Sequence, residues 1–100
     1  MSVIFGTARK MKIEWDENKA ASNLRKHKIS FIEAQTVFDD PLAATDSDPD
    51  HSFEERRFIT IGASVAGRIL IVSHTFEPER VRIISARKPT RAEREYYENP

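Results

Sequence analysis

The stretch Arg80 to Tyr97, RVRIISARKPTRAEREYY, brings cations and phenols together in few residues. Arginine grips phosphate through a planar fork and tyrosine stacks on bases, so these residue types suit a nucleic-acid backbone. The first part alternates polar and apolar and is rich in β-branched residues, which predicts a strand over Arg80 to Ala86. Strict alternation puts Arg80, Arg82, Ile84 and Ala86 on one face and Val81, Ile83, Ser85 and Arg87 on the other. Val81 and Ile83 are the core side, which leaves Arg82 on a more open face with Arg87, Arg91, Tyr96 and Tyr97 close by in sequence. Arg57 and Arg68 come from other strand-like segments, and the arginines as a group are expected to converge across a small sheet. Surface ion pairing is the competing explanation for most of them.

The remaining candidates each carry two readings. His74 has the parity of Leu70 and Val72 on a strand and is either a core-edge histidine bonded to backbone or a general base. His27 closes the cationic run Arg25-Lys26-His27-Lys28, where the negative end of a helix dipole explains positive charge. His51 lies among Asp46, Asp48, Asp50, Glu54 and Glu55, but at no ordered ligand spacing, so a solvated or arginine-paired acidic loop is the simpler account than a metal site. Trp15 reads as core, and one of the two tyrosines as packing for the last helix. No Gly-rich phosphate loop, nucleophile triad, H-E-x-x-H or zinc spacing is present, so no cofactor is expected and the chemistry must be metal-free. RNA cleavage fits that inventory, because the substrate supplies its own 2′-hydroxyl nucleophile. The protein then needs only a base, cations for the charge developing on phosphorus, and an acid for the leaving oxygen.

The elements that must position these residues follow from caps and periodicity. Lys12 to Trp15 is a short strand, expected at a sheet edge. Asp16 caps a helix that runs to about His27, and Ser30 with Glu33 opens a second helix that ends at Asp39-Asp40-Pro41. A short strand is possible at Leu42 to Thr45. Arg57 to Ala63 and Arg68 to Thr75 form a hairpin around Gly67, and Thr90 with Glu93 opens a closing helix. The result is an α+β domain: strand, two helices, an antiparallel meander and a short helix.

One hundred residues with 39% apolar and 32% charged content make one soluble globular domain. With no cysteine there is neither a disulfide framework nor a thiolate metal site, and a cytoplasmic location is expected. No apolar run is long enough to span a membrane. Residues 1–10 read as a poorly ordered extension, and the domain as 11–100. Net charge is zero, yet it is segregated. Seven Lys or Arg face three Asp or Glu over residues 9–29, none face eight over 30–55, and eight face two over 56–91. Such blocks attract oppositely charged partners or neutralise each other in the fold.

The runs WDENKAASNLRKHKISFIEAQTVFDDP, DHSFEERRFITIG, GRILIVSHTF and RVRIISARKPTRAEREYYE resemble the BrnT toxin family of bacterial type II toxin-antitoxin modules, from Lys12 to about Glu98. The resemblance implies a RelE-like fold, a growth-stopping ribonuclease, and a cognate BrnA-type ribbon-helix-helix antitoxin through which the complex reaches operator DNA and represses its operon. A toxin dimer within the complex is a further implication. Trp15, Asp16, His27, Glu55, Arg57, His74, Arg82, Ser85, Arg87 and Tyr97 match family positions. Lys28 stands where the family usually has glycine after the KH pair. The expected site is Arg57, Arg82 and Arg87 on phosphate, His74 or Glu55 as base, and Tyr97 as acid or stacking platform. The alternative is a non-catalytic interaction subunit whose arginine face is filled by an acidic segment of a partner.

Overall fold

The computed structural model describes residues 11–48 and 56–99. Strand β1 spans Lys12–Trp15, and Asp16 then caps helix α1, Glu17–His27, by accepting from the Asn18 amide at 2.7 Å. Helix α2, Phe31–Ala34, is capped by Ser30 and continues as a 3-10 turn over Gln35–Asp39. Strands β2 (Ala44–Ser47), β3 (Arg57–Ala63), β4 (Ile69–Thr75) and β5 (Arg80–Arg87) follow, and helix α3, Arg91–Glu98, opens on a complete Thr90–Glu93 capping box. The strand expected at Leu42 to Thr45 starts two residues later. Asp40 holds the preceding segment as a turn, its carboxylate accepting from the Leu42 amide and its carbonyl from the Ala43 amide.

The five strands lie in the order β1-β5-β4-β3-β2, so β1 is an edge strand as expected, running parallel to β5 while β2 to β5 form an antiparallel meander. Helices α1 and α2 and the 3-10 turn close one face. Ile29, Phe31, Val37, Phe38, Leu70, Val72, Val81 and Ile83 are buried there in a single cluster, and Trp15 packs its edge against Phe31 at 5.9 Å. Gly62 fits closely where the 3-10 turn meets β3, because a Cβ would come within 3.2 Å of the Val37 carbonyl and 3.1 Å of Ala43 and would press both aside. The opposite face carries a smaller cluster, Ile61, Ile69 and Ile71, against which Tyr97 of α3 packs. Among the described residues no helix is long and apolar enough to cross a membrane.

One irregularity decides what the open face contains. Ser73 pairs with Ser85, but His74 pairs with Ile83, so Ile84 is an extra residue in β5. The bulge reverses the alternation beyond it. Ala86 therefore enters the core with Val81 and Ile83, and Arg87 joins Arg82 on the other face, whereas unbroken alternation assigns Arg87 to the core side.

Candidate functional site

The open face of the sheet is built from side chains opposite the closed core. On β3, Phe58 lies against the buried His74, so Arg57 points the other way. On β5, Val81 and Ile83 are fully buried, so Arg82 between them faces outward. Arg57 pairs with Thr75 across the strands, and the Thr75 hydroxyl accepts from the Arg82 amide at 3.1 Å, which brings the two arginines to one end of the face. Ser73 and Ser85 form the next row, and Ile71 and Arg87 the row beyond. Three of the expected site residues, Arg57, Arg82 and Arg87, thus share this face.

Arg87 is already engaged. Its guanidinium forks onto the Glu93 carboxylate at 2.9 and 3.0 Å, and the same carboxylate accepts from the Thr90 amide as part of the helix cap. The Arg87 fork, despite partial burial of the carboxyl, brings Glu93 down to about 2. This face therefore accommodates a planar anion at Arg87. Arg68 does not belong to the group: it forks onto Glu33 at 2.8 and 2.7 Å and ties the β3–β4 turn to α2. Arg80 lies 3.9 Å from Glu14, and Arg91 pairs with Glu95 along α3.

His74 is not placed as a base. The ring is fully buried between Phe38, edge-on at 4.9 Å, and Phe58, stacked at 6.2 Å. Its Nδ1–H donates to the Thr75 carbonyl at 2.8 Å, which makes Nε2 the acceptor of the Thr60 hydroxyl at 2.7 Å. Thr60 in turn lies 2.7 Å from the Thr45 hydroxyl. Burial pushes the imidazole below its usual value, with the Thr75 carbonyl opposing. Both nitrogens are satisfied internally, so the core reading of His74 replaces the catalytic one.

Tyr97 lies on the same face as Arg87, packed against the Ile61, Ile69 and Ile71 cluster, and its hydroxyl is taken up there. Its hydroxyl donates to Asp40 at 2.5 Å, and that bond, with burial, pushes the phenol up to about 12. Asp40 is itself held below the usual carboxylate value, because amides of Ala63 and Leu42 and the Tyr97 hydroxyl outweigh the cost of its burial. Tyr97 thus reaches the Ala63 end of β3 and Arg57 starts the other end, six residues or about 20 Å away. Tyr97 is therefore nearer the Arg87 row than the Arg57–Arg82 end. The exposed phenol is Tyr96, which lines a groove of about 470 Å³ over Ile59, Ile61 and Ile71 beside β2.

Glu55 and His51 lie outside the described residues. A carboxylate that the sequence reading passed over is Glu14: parallel pairing of β1 with β5 sets it level with Arg82 on the open face. Its signal was the alternation of Lys12 to Trp15, which puts Ile13 and Trp15 in the core and Glu14 opposite. Asn23 was also missed. It is buried in α1, donates to the carbonyls of Ile29 and Ala86, and accepts from the Ala86 amide at 3.0 Å, closing the β5 edge where β1 has ended. Among the described residues no group of His, Asp and Glu is disposed to hold a metal ion.

A meander with one face closed by two helices and the other carrying Arg57, Arg82 and Arg87 defines a small α+β domain. The family profile described as ribonuclease toxin, BrnT, of type II toxin-antitoxin system matches residues 15–93, and the chain belongs to that family. The crystal structure of the Brucella abortus ribonuclease toxin, BrnT, superposes with a TM-score of 0.60 at 24% identity, covering 82% of this chain and 100% of that one, a likeness of fold. Among curated proteins none matches.

Proposed function

We propose that the protein acts in the cytoplasm as a metal-independent endoribonuclease and that its target phosphate binds at the Arg57–Arg82 end of the open face. The observation that carries the reading is the shared face: Arg57 and Arg82 flank Thr75 at one end of it, and the β5 bulge brings Arg87 to the same surface. Glu14, level with Arg82, or Glu55, two residues before Arg57, removes the proton from the 2′-hydroxyl. The 2′-oxygen attacks phosphorus, the bond to the 5′-oxygen breaks, and that oxygen takes a proton from solvent. Products are a 2′,3′-cyclic phosphate and a 5′-hydroxyl end. Arg57 and Arg82 stabilise the charge on the phosphorane oxygens, an effect worth about 10²–10³ in rate per donor.

Masking follows from the same chemistry. An antitoxin of the BrnA type, through which the complex meets operator DNA and represses its operon, neutralises the toxin by setting carboxylates on the arginine face, as Glu93 already does at Arg87. The non-catalytic alternative shares this contact and differs only in lacking turnover. Replacing Arg57 and Arg82 together with alanine is expected to abolish growth arrest in cells while leaving the thermal transition of the protein in place. Full toxicity of that folded double variant contradicts the assignment.

A further inference from the structure

The cationic run at the end of α1 has a geometry that helix capping alone does not explain. β1 pairs with β5 only from Arg80 to Ile83, so the edge of β5 is uncovered from Ile84 onward. Asn23 takes up Ala86, and between α1 and the bulge there remains a groove of about 210 Å³ lined by Lys19, Ser22, Asn23, Lys26, His27 and the strand residues Ile84 and Ser85. Lys19, Ser22, Asn23 and Lys26 recur at helical spacing and form one stripe of α1. The helix dipole accounts for Lys26 and His27 in the last turn, but Lys19 lies two turns earlier.

Among the described residues no carboxylate lines the groove. Among the described residues neither lysine nor His27 makes an ion pair with an acid, in contrast to Arg68, Arg80, Arg87, Arg91 and Arg94, each of which faces a glutamate. Three cationic or N–H donors and two hydroxyls thus converge on a space below the roughly 300–1,000 Å³ of a small-molecule pocket. That size suits a tetrahedral oxyanion rather than a nucleobase. Ser85, which lines the groove, also pairs with Ser73 between the levels of Arg82 and Arg87, so the groove adjoins the arginine face.

We propose that the groove between α1 and the β5 bulge is a second phosphate subsite, in which Lys19, Lys26 and His27 hold a phosphodiester of the same RNA strand that lies on the arginine face. The assignment rests on the ribonuclease reading. Its contribution is to position the strand: one phosphate is held at Arg57 and Arg82, and a neighbouring one passes over Ser85 into the groove. Ser22 and Ser85 donate hydroxyls to the anionic oxygens, and no bond is made or broken there.

The test is binding of a short single-stranded 2′-O-methyl RNA, which lacks the nucleophile, to the full chain by fluorescence anisotropy over a range of salt. Lys26→Gln is compared with Arg25→Gln, an exposed neighbour of the same charge that is not among the residues lining the groove. Loss of one phosphate contact is expected to lower the slope of log K against log salt by about 0.7 for Lys26→Gln, and Lys19→Gln/Lys26→Gln to weaken binding by about tenfold, while Arg25→Gln leaves the slope in place. Equal slopes for Lys26→Gln and Arg25→Gln, with the wild type binding normally, overturn the subsite and leave the arginine face standing. Absence of salt-dependent binding by the wild type overturns both.

Discussion

The two faces of the sheet use polar residues in opposite ways. On the face closed by α1 and α2, the buried polar side chains described are answered from within: Thr45, Thr60, His74 and the Thr75 carbonyl form one chain, and Asn23 makes three bonds to backbone. On the other, Arg87 is forked by a surface helix and Arg57 and Arg82 stand across a threonine from each other. Burial obliges a polar group to find a fixed partner, because an unmet one costs about 1–3 kcal/mol. An open face imposes no such demand, because solvent can answer a polar group there. A histidine and an arginine can therefore be equally suggestive in sequence while the fold buries the one and leaves the other on the sheet's outer face.

The sharpest way to break this contrast is at His74. His74→Ala removes a fully buried ring between two phenylalanines and leaves the Thr60 hydroxyl unanswered, and is expected to cost about 3–5 kcal/mol in urea unfolding. The wild type should also lose stability in acid. Folded His74 resists protonation, whereas the unfolded imidazole takes a proton near 6.5, so stability is full above that value and falls as pH is lowered through it. Unfolding midpoints at pH 7.5, 6.0 and 5.0 measure the slope, and His74→Gln should flatten it. The Arg87–Glu93 fork acts in a lower window, its stability present above about 4.5 and lost as pH falls towards about 2.

A smaller effect sharpens the division within the expected site. Tyr97→Phe removes one hydrogen bond to Asp40 and is expected to destabilise by about 1 kcal/mol with RNA cleavage unchanged. A cleavage rate lowered a hundredfold in the folded variant would return Tyr97 to the chemistry. The least effect is stabilising. Lys28 ends α1 with φ of 61°, the left-handed conformation that glycine adopts without strain, and Lys28→Gly should raise stability by about 0.5–1 kcal/mol in the same unfolding assay.

That last position shows why so much of the fold was legible. Element ends are written in local chemistry: Asp16, Ser30 and Thr90 cap the helices expected of them, and Gly67 sits at positive φ in the turn between β3 and β4. The site was legible only in part, because its residues depend on pairing between distant segments. Arg87 reaches the open face through a register shift against β4, which alternation within β5 does not contain. Asn23 has its partner 63 residues away, and His74 was decided by Thr60 on the neighbouring strand. Glu14 became a candidate only when β1 was found beside β5.

The central claim is that the open face cuts RNA with protein groups alone. The most direct test is to incubate the purified, partner-free chain with a defined RNA in the presence and absence of EDTA and map the ends. The account predicts cleavage that survives EDTA, leaves 2′,3′-cyclic or 3′-phosphate ends, and disappears with Arg57→Ala/Arg82→Ala. Cleavage that EDTA abolishes, or that leaves 3′-hydroxyl ends, contradicts it.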